Sequence, residues 1–230
     1  MATAACAALI AVAAGIHLMP YWFADYTTQS GEFRTIALDD GSLIHLNTAS
    51  AIDVDYASGR RDVRLLKGEA EFVVRKNPAR PFVVTAGDER IRALGTDFIV
   101  RFDQQAVTVT QLENRVEITA ANSGPVRKTV LSPGQQLHRM IGEPLSGPIP
   151  VDTAMANAWR RGKLIFESAP LAEVVAEINR YRPGSAFLLG SKNANLTVSG
   201  VFDLQRLDRL LAVIEQTLPI KAAHLGSHVV

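Results

Sequence analysis

The sequence predicts a mainly β chain that ends in a smaller α+β unit. Three observations lead to this prediction. Residues 1–24 are almost uncharged, residues 25–140 hold short strand-like runs bounded by turn residues, and residues 159–230 carry two amphipathic helical patterns. The Pro- and Gly-rich stretch 141–158 is typical of a linker. The expected order is an N-terminal membrane anchor, an all-β domain and a small C-terminal βαβ-βαββ domain.

The first segment favours a membrane-spanning helix. From Ala2 to Phe23 the sequence has no Asp, Glu, Lys or Arg, and crossing a bilayer takes about 20 apolar residues. Tyr21, Trp22 and Phe23 suit an interfacial aromatic belt. A cleaved signal peptide competes with this interpretation, although it normally opens with basic residues. A buried soluble helix is a further alternative, because alanine is only mildly apolar.

Residues 25–140 predict about ten short strands, each bounded by Gly, Asp, Asn or Pro. Asp40-Gly41 separates two apolar runs and predicts a hairpin. The run AIDVDY alternates strictly between apolar and polar residues, as a half-buried strand does. Lys67-Gly68 is expected to turn the chain between two strands. This spacing fits a short solenoid, a sandwich or a barrel, and the sequence does not choose among them.

The C-terminal region predicts strand–helix–strand followed by strand–helix–strand–strand. The strands are expected in the runs GKLIFES, AFLL, LTVSGVF, PIKAAHL and SHVV. Ser168 is the candidate N-cap of the first helix and Asp203 that of the second. Each helix has one apolar face, so each can cover a small sheet. Trp159, between the linker and the first strand, is expected to pack into the seam between the domains. The alternative is that it is buried wholly within the C-terminal module.

The composition argues against several classes of function. Lys and Arg number 24 against 23 Asp and Glu, so no nucleic-acid-binding surface is predicted. The single cysteine, Cys6, cannot form an internal disulfide. His224 and His228 are close in sequence, but zinc needs more ligands, and we expect neither a metal nor a cofactor. Without a phosphate loop or a convincing catalytic acid pair, the residues favour a binding protein over an enzyme.

Six ordered motifs resemble those of the FecR family. They are GEFRTIALDDGSLIHLNTAS, RDVRLLKGEAEFVV, RPFVVTAG, IRALGTDFIVRF, VTVTQLENRVEI and LSPGQQL. The run AWRRGKLIFESAPLAEVVAEINRY resembles the family's connection into its last module. That module is similar to the short N-terminal (STN) domain of secretins and TonB-dependent receptors. The family's cytoplasmic sigma-binding domain is not among these motifs. We expect a longer parent chain that carries more residues before the given start, and the sequence does not say whether they include that domain.

The resemblance implies a single-pass inner-membrane regulator with most of its mass in the periplasm. The signalling domain of a TonB-dependent outer-membrane transporter, often one for iron–siderophore complexes, would contact it. Periplasmic and intramembrane proteases would then act on it, and an extracytoplasmic-function (ECF) sigma factor would be released or activated. The docking surface is expected in residues 160–230, at an open sheet edge in LTVSGVF with Leu196, Val198 and Val201 as apolar anchors. The alternative is that the β-domain covers both edges of this sheet.

Some FecR-family members cleave their own chain at a Gly-Thr pair, and the matching bond here is Gly95-Thr96. The Thr96 hydroxyl would attack the Gly95 carbonyl in an N-to-O acyl shift, and water would hydrolyse the ester. A glycine bulge in a strand is the structural interpretation of the same pair, and the two are compatible.

Two further functions remain open from the residues. One is a structural assembly module, because domains of the C-terminal kind also occur in secretin channels, although a secretin needs a long barrel-forming region. The other is a carbohydrate-binding or hydrolytic β protein, which two tryptophans support only weakly.

Overall fold

The computed structural model describes residues 23–57, 59–120, 128–184, 186–188, 193–220, 224–225 and 228–229. Nearly all of the predicted anchor, residues 1–24, lies outside these ranges. Within them, no helix has both the length and the apolar character needed to cross a bilayer.

A 13-stranded sheet, in agreement with the mainly β prediction, forms what we call the β-domain. Its strands are β1 (Tyr26–Thr27), β2 (Arg34–Ala37), β3 (Leu43–Leu46), β4 (Ala51–Asp55), β5 (Arg61–Val73), β6 (Phe82–Ala86), β7 (Glu89–Ala93), β8 (Asp97–Phe102), β9 (Ala106–Glu113), β10 (Val116–Ala120), β11 (Lys128–Leu131), β12 (Gln135–Met140) and β13 (Ile149–Pro150). The hairpin predicted around Asp40-Gly41 is confirmed by the antiparallel pair β2–β3.

The long strand β5 joins two halves of this sheet. Its first half pairs with β4 and β6, and its second half pairs with β3 and β8. Gly68 lies between the halves with a φ of +86°, and a Cβ atom there would overlap the side chain of Ser50. The turn predicted at Lys67-Gly68 is therefore wrong. Glycine instead bends a continuous strand, because its left-handed backbone carries β5 from one half to the other.

The two halves of the sheet share one hydrophobic core. Phe72 on β5 stacks on Phe98 of β8 with ring centroids 5.2 Å apart, and it lies 6.0 Å from Phe82 of β6. Side chains from both halves belong to the same buried cluster. The sheet is therefore curled around its core.

We call the part of the chain that follows the C-terminal module. It contains helix α1 (Thr153–Ala156), a 3₁₀-helix (Ala158–Arg161), strand β14 (Lys163–Pro170), helix α2 (Leu171–Tyr181), strand β15 (Thr197–Asp203), a second 3₁₀-helix (Leu204–Arg206), helix α3 (Leu207–Thr217) and the hairpin of β16 (His224–Leu225) with β17 (His228–Val229).

The helix faces predicted for this module are confirmed. The apolar faces of the two predicted helices are buried: Leu171, Val174, Val175 and Ile178 of α2, and Leu207, Leu210 and Ile214 of α3. The Asp203 cap is confirmed at the 3₁₀-helix that leads into α3, where its carboxylate accepts a hydrogen bond from the Gln205 amide at 2.9 Å.

The expected cap at Ser168 is wrong, because β14 runs on past this residue. Pro170 still pairs with Thr197 of β15, and a register shift between Phe166 and Ala169 accommodates the extra residues. Helix α2 consequently starts at Leu171, whose amide donates to the Leu196 carbonyl at 2.7 Å. A main-chain carbonyl thus satisfies one of the free amides that a side-chain cap would otherwise bind.

The strand expected in AFLL is also wrong for its described part, residues 186–188. Ala186 forms only an isolated bridge, because both of its main-chain polar groups bond to the Asn179 side chain of α2, at 2.7 and 2.9 Å. The order in the described residues is therefore β14–α2–β15–α3–β16–β17, one strand short of the predicted βαβ-βαββ.

The predicted linker, 141–158, is partly folded against the β-domain. Strand β13 extends the sheet through the pairs Gln135–Pro150 and Gln136–Ile149. Asp152 caps α1 by accepting from the Ala154 amide at 2.7 Å. The connection between the two units is thus shorter than its proline and glycine content predicts.

Candidate functional site at the Gly95-Thr96 bend and the domain junction

Gly95 and Thr96 lie in the bend between β7 and β8. Gly95 has a φ of +139°, and a Cβ atom there would lie 2.6 Å from the Cα of Lys76. The backbone of Lys76 therefore leaves room only for glycine. Thr96 and Val74 exchange two main-chain hydrogen bonds of 3.3 and 2.9 Å. These bonds hold Thr96 in place beside the end of β5.

A bulge is present next to the motif, although not at Gly95 itself. Asp97 pairs with Glu113, whereas Phe98 pairs with Gln111. The extra residue is Leu112, on β9. Bulges re-aim the side chains around them, and this one brings Gln111 and the Glu113 carbonyl to the Thr96 side chain.

The hydroxyl of Thr96 is buried and held on two sides. Thr96 is 4% exposed. Its Oγ1 donates to the Glu113 carbonyl and accepts a hydrogen bond of 2.5 Å from Nε2 of Gln111. The same amide nitrogen also contacts the Glu113 carbonyl and lies 3.2 Å from the Asp97 carbonyl. The hydroxyl oxygen therefore has a fixed position relative to the Gly95-Thr96 bond.

The side chain of Asp97 lies on the opposite face of the sheet from that of Thr96, because successive side chains alternate along an extended chain. Burial, and then the negative charges of Glu71 and Glu113, raise the pKa of its carboxyl to about 7, against a lowering effect of Arg160. Among the described residues, its Oδ1 atom is buried without a hydrogen-bond partner. This carboxyl therefore changes charge near neutral pH.

Two further acids, Glu69 and Glu71, alternate with core residues on β5 and so lie on the outer face of the sheet. Both are buried, because the C-terminal module covers this face. The Glu71 carboxylate accepts from Asn157 Nδ2 at 2.7 Å and from Arg160 Nε at 2.6 Å. Both of its oxygens are thus bound by residues just before β14.

A second set of contacts lies beside the first. Glu69 accepts from Asn47 Nδ2 at 2.8 Å and from Arg180 Nη2 at 2.5 Å. Arg180 also donates to Glu177 at 2.6 Å, and Glu177 accepts from Arg101 of β8 at 2.9 Å. Although burial opposes it, the two arginines lower the pKa of Glu177. The junction therefore holds a chain of charged hydrogen bonds that begins at Glu69 in the β-domain, runs through Arg180 and Glu177 of the module, and ends at Arg101 in the β-domain.

The seam between the domains also has an aromatic part. Trp159 is buried in the core of the module. Its ring stacks on Phe33, which lies between β1 and β2, with centroids 6.2 Å apart and planes 13° from parallel. Phe33 stacks in turn on Tyr181 at 6.2 Å. The prediction that Trp159 packs into the seam is confirmed.

The three predicted partner-binding residues are not brought together. Val201 is 64% exposed, whereas Val198 is 8% exposed and belongs to the core of the module. Leu196 is partly buried against the same core. In the described part of the chain β15 pairs only with β14, so its other edge carries no strand.

Sequence reasoning missed Glu69, Glu71 and Gln111. The alternation in GEAEF places both acids on one strand face, and that is the only local signal. Their partners Arg180 and Arg160 lie 111 and 89 residues away, and a single sequence does not show such pairings. In the sequence, Gln111 looks like any polar residue near the end of a strand. Only the folded structure shows that it lies beside the Gly95-Thr96 bend.

Comparisons with known proteins agree with this architecture. Residues 24–117 match the model of the family described as FecR protein. Two crystal structures of a candidate anti-sigma factor from Parabacteroides distasonis, at 1.65 and 2.50 Å resolution, are similar to the chain with TM-scores of 0.75 and 0.74. Their sequences are 22% and 23% identical to it, and the superpositions cover 89% of this chain and 96% and 95% of theirs. No curated protein matches the chain.

The family match spans β1 to the start of β10, which includes the Gly95-Thr96 bend and both buried acids of β5. The structural likeness shows that the fold is shared over most of the length, beyond the matched range. The chain therefore carries a match to the FecR protein family over residues 24–117, and its overall fold is similar to that of the two solved structures.

Proposed function

We propose that this protein is the periplasmic sensor of a cell-surface signalling pathway and controls an ECF sigma factor. Residues 1–24 hold the chain in the inner membrane, and the β-domain and C-terminal module lie in the periplasm. The FecR match and the fold shared with a candidate anti-sigma factor support a sigma factor as the downstream partner. That partner is reached through a cytoplasmic domain, and periplasmic and intramembrane proteases act between the two.

The upstream partner in this proposal is the signalling domain of a TonB-dependent outer-membrane transporter, of the kind that imports iron–siderophore complexes. One observation carries this part: a module in which β15, among the described residues, pairs only with β14 is held on the β-domain by charged hydrogen bonds. A free edge can accept a strand from another protein through main-chain hydrogen bonds. Charged contacts at the junction then transmit a displacement of the module to β5.

Titration calorimetry with the purified signalling domain of a TonB-dependent transporter, chosen because its gene lies beside the gene of this protein, tests this docking. Val201→Arg places a long cation on the exposed face of β15 and is expected to raise Kd about tenfold or more, which corresponds to about 1.4 kcal/mol. Val213→Arg, at an exposed position on α3, is the matched control and should leave Kd unchanged. Equal Kd values for both variants and the wild type would rule out docking at β15.

We further propose that the chain breaks once at Gly95-Thr96, without being a turnover enzyme. Thr96 Oγ1 bonds to the Gly95 carbonyl carbon, and the C–N bond breaks as its nitrogen takes up the hydroxyl proton. Water then hydrolyses the ester, which leaves a carboxylate on Gly95 and an amine on Thr96. The glycine-only backbone at Gly95 and the held hydroxyl support this proposal.

Intact-mass spectrometry of the freshly purified protein tests the cleavage. Fragments that end at Gly95 and begin at Thr96 are expected from the wild type and from Thr96→Ser, which keeps a hydroxyl. Thr96→Ala is expected to give the full-length mass alone. If the wild type also stays intact after long incubation, the pair has a structural role only.

A further inference from the structure

We infer that Gln111 is the positioning residue of this self-cleavage and that its side-chain amide holds the Thr96 hydroxyl for attack on Gly95. The inference rests on the cleavage proposed above and adds the group that controls it. Gln111 lies on β9, where it pairs with Phe98 and stands 15 residues from Thr96 in the chain.

The hydrogen bonds around Thr96 leave the hydroxyl one free site. A hydroxyl has one donor hydrogen and two acceptor lone pairs. The hydrogen is directed to the Glu113 carbonyl, and one lone pair accepts from Gln111 Nε2 at 2.5 Å. The second lone pair is the one that remains to attack Gly95. Because both contacts come from β9, they fix the rotation of the Thr96 side chain.

The side-chain amide of Gln111 lies on the core face of β9 but is directed at the bend. Val107 and Val109, on the same face of β9, are fully buried core residues, and Gln111 is fully buried beside them. Buried amides normally satisfy both of their ends. Here Oε1 has no partner among the described residues, while Nε2 contacts oxygens of Thr96, Asp97 and Glu113. The polar atoms of Gln111 are therefore directed at the bend.

This amide contributes to the acyl shift without exchanging a proton. As the Thr96 hydroxyl loses its hydrogen, negative charge develops on Oγ1, and a preorganised N–H donor stabilises that charge. The proton is transferred to the leaving nitrogen of Thr96, and the new bond joins Oγ1 to the Gly95 carbon. Gln111 keeps the oxygen in place until this bond has formed.

The first test compares cleavage rates of the full-length chain and Gln111→Met by intact mass. Methionine has nearly the length of glutamine but no N–H group, so we expect a rate about 100-fold lower, as for the loss of other preorganised donors. Urea unfolding of both proteins checks that the variant is folded. Hydroxylamine, which cleaves esters, should not restore cleavage, because the block precedes ester formation.

Gln111→Glu gives a readout that a structural role would not produce. A carboxylate cannot donate to Oγ1, whereas a protonated carboxyl group can. The rate of this variant relative to the wild type at the same pH should therefore increase as the pH falls from 8 to about 5, the range in which a buried glutamate takes up a proton.

The outcomes separate the two proposals. A folded Gln111→Met protein that cleaves at the wild-type rate, or a relative rate of Gln111→Glu that does not vary with pH, overturns the role of Gln111 and leaves self-cleavage standing. An absence of cleavage in both the wild type and Thr96→Ser overturns the self-cleavage itself, and the role of Gln111 with it.

Discussion

Glu71 and Asp97 are carboxyl groups on neighbouring strands of the β-domain. They differ in whether residues of the C-terminal module donate hydrogen bonds to them. Glu71 receives hydrogen bonds from Asn157 and Arg160. The Oδ1 atom of Asp97 receives none from the described residues, and burial beside Glu71 and Glu113 raises the pKa of this carboxyl to about 7. Compared with the unfolded chain, the folded protein therefore favours the protonated form of Asp97.

This raised pKa predicts how stability changes with pH. In the unfolded chain the pKa of an aspartate is about 3.9, so the stability that protonated Asp97 provides is complete below that value. It is lost as the pH rises through the folded pKa of about 7. Asp97→Asn removes the titration. We expect the free energy of unfolding of this variant, relative to that of the wild type, to increase from pH 5 to pH 8.

Urea unfolding of both proteins at several pH values measures this difference. At pH 5, where most of Asp97 is protonated in the folded protein, the two proteins should differ least. A difference that stays constant from pH 5 to pH 8 would contradict a titration of Asp97 in this range.

At the scale of elements, local patterns predict well what local interactions decide. The apolar periodicity predicts α2 and α3, because a helix of their length must bury one face. The errors occur where a partner outside the predicted segment decides the conformation. Ser168 does not cap α2 because Pro170 pairs with β15, and AFLL does not extend because Asn179 binds the main chain of Ala186.

The 3₁₀-helix that precedes β14 is expected to dock on β5 chiefly through Arg160 and Glu71. Their side chains are 32% and 5% exposed, and the pair is 2.6 Å long. A double-mutant cycle of Glu71→Gln and Arg160→Gln should give a coupling energy of about 1–3 kcal/mol, as for residues that share a buried network. Urea unfolding of the four proteins provides the measurement.

Arg60 and Asp55 form the matched control for this cycle. This pair is 3.4 Å long, and both side chains are 64% exposed. Exposed pairs are screened by water and salt, so its cycle should give less than about 0.5 kcal/mol. Equal coupling in the two cycles would mean that the junction pair contributes no more than a surface pair.

At the scale of the whole molecule, the division into a β-domain and an α+β module could be predicted from composition and periodicity. The way the two units dock could not. Docking depends on contacts such as Asn47 with Tyr181, which are 134 residues apart, and on acids that the strand pattern alone would place in solvent. The candidate site was predicted as a residue pair, Gly95-Thr96, but not as the cluster that surrounds it.

The buried acids Glu69 and Glu71 are expected to hold the module more firmly than the aromatic seam does, because each loses charged hydrogen bonds on separation. In a Trp22→Phe background Trp159 is the only tryptophan. Replacing both acids with glutamine should open its stack on Phe33 and shift its emission to longer wavelength. Glu117→Gln, which removes an exposed surface pair, should leave the emission unchanged. An unchanged spectrum in the double variant would show that the Phe33, Trp159 and Tyr181 rings suffice for docking.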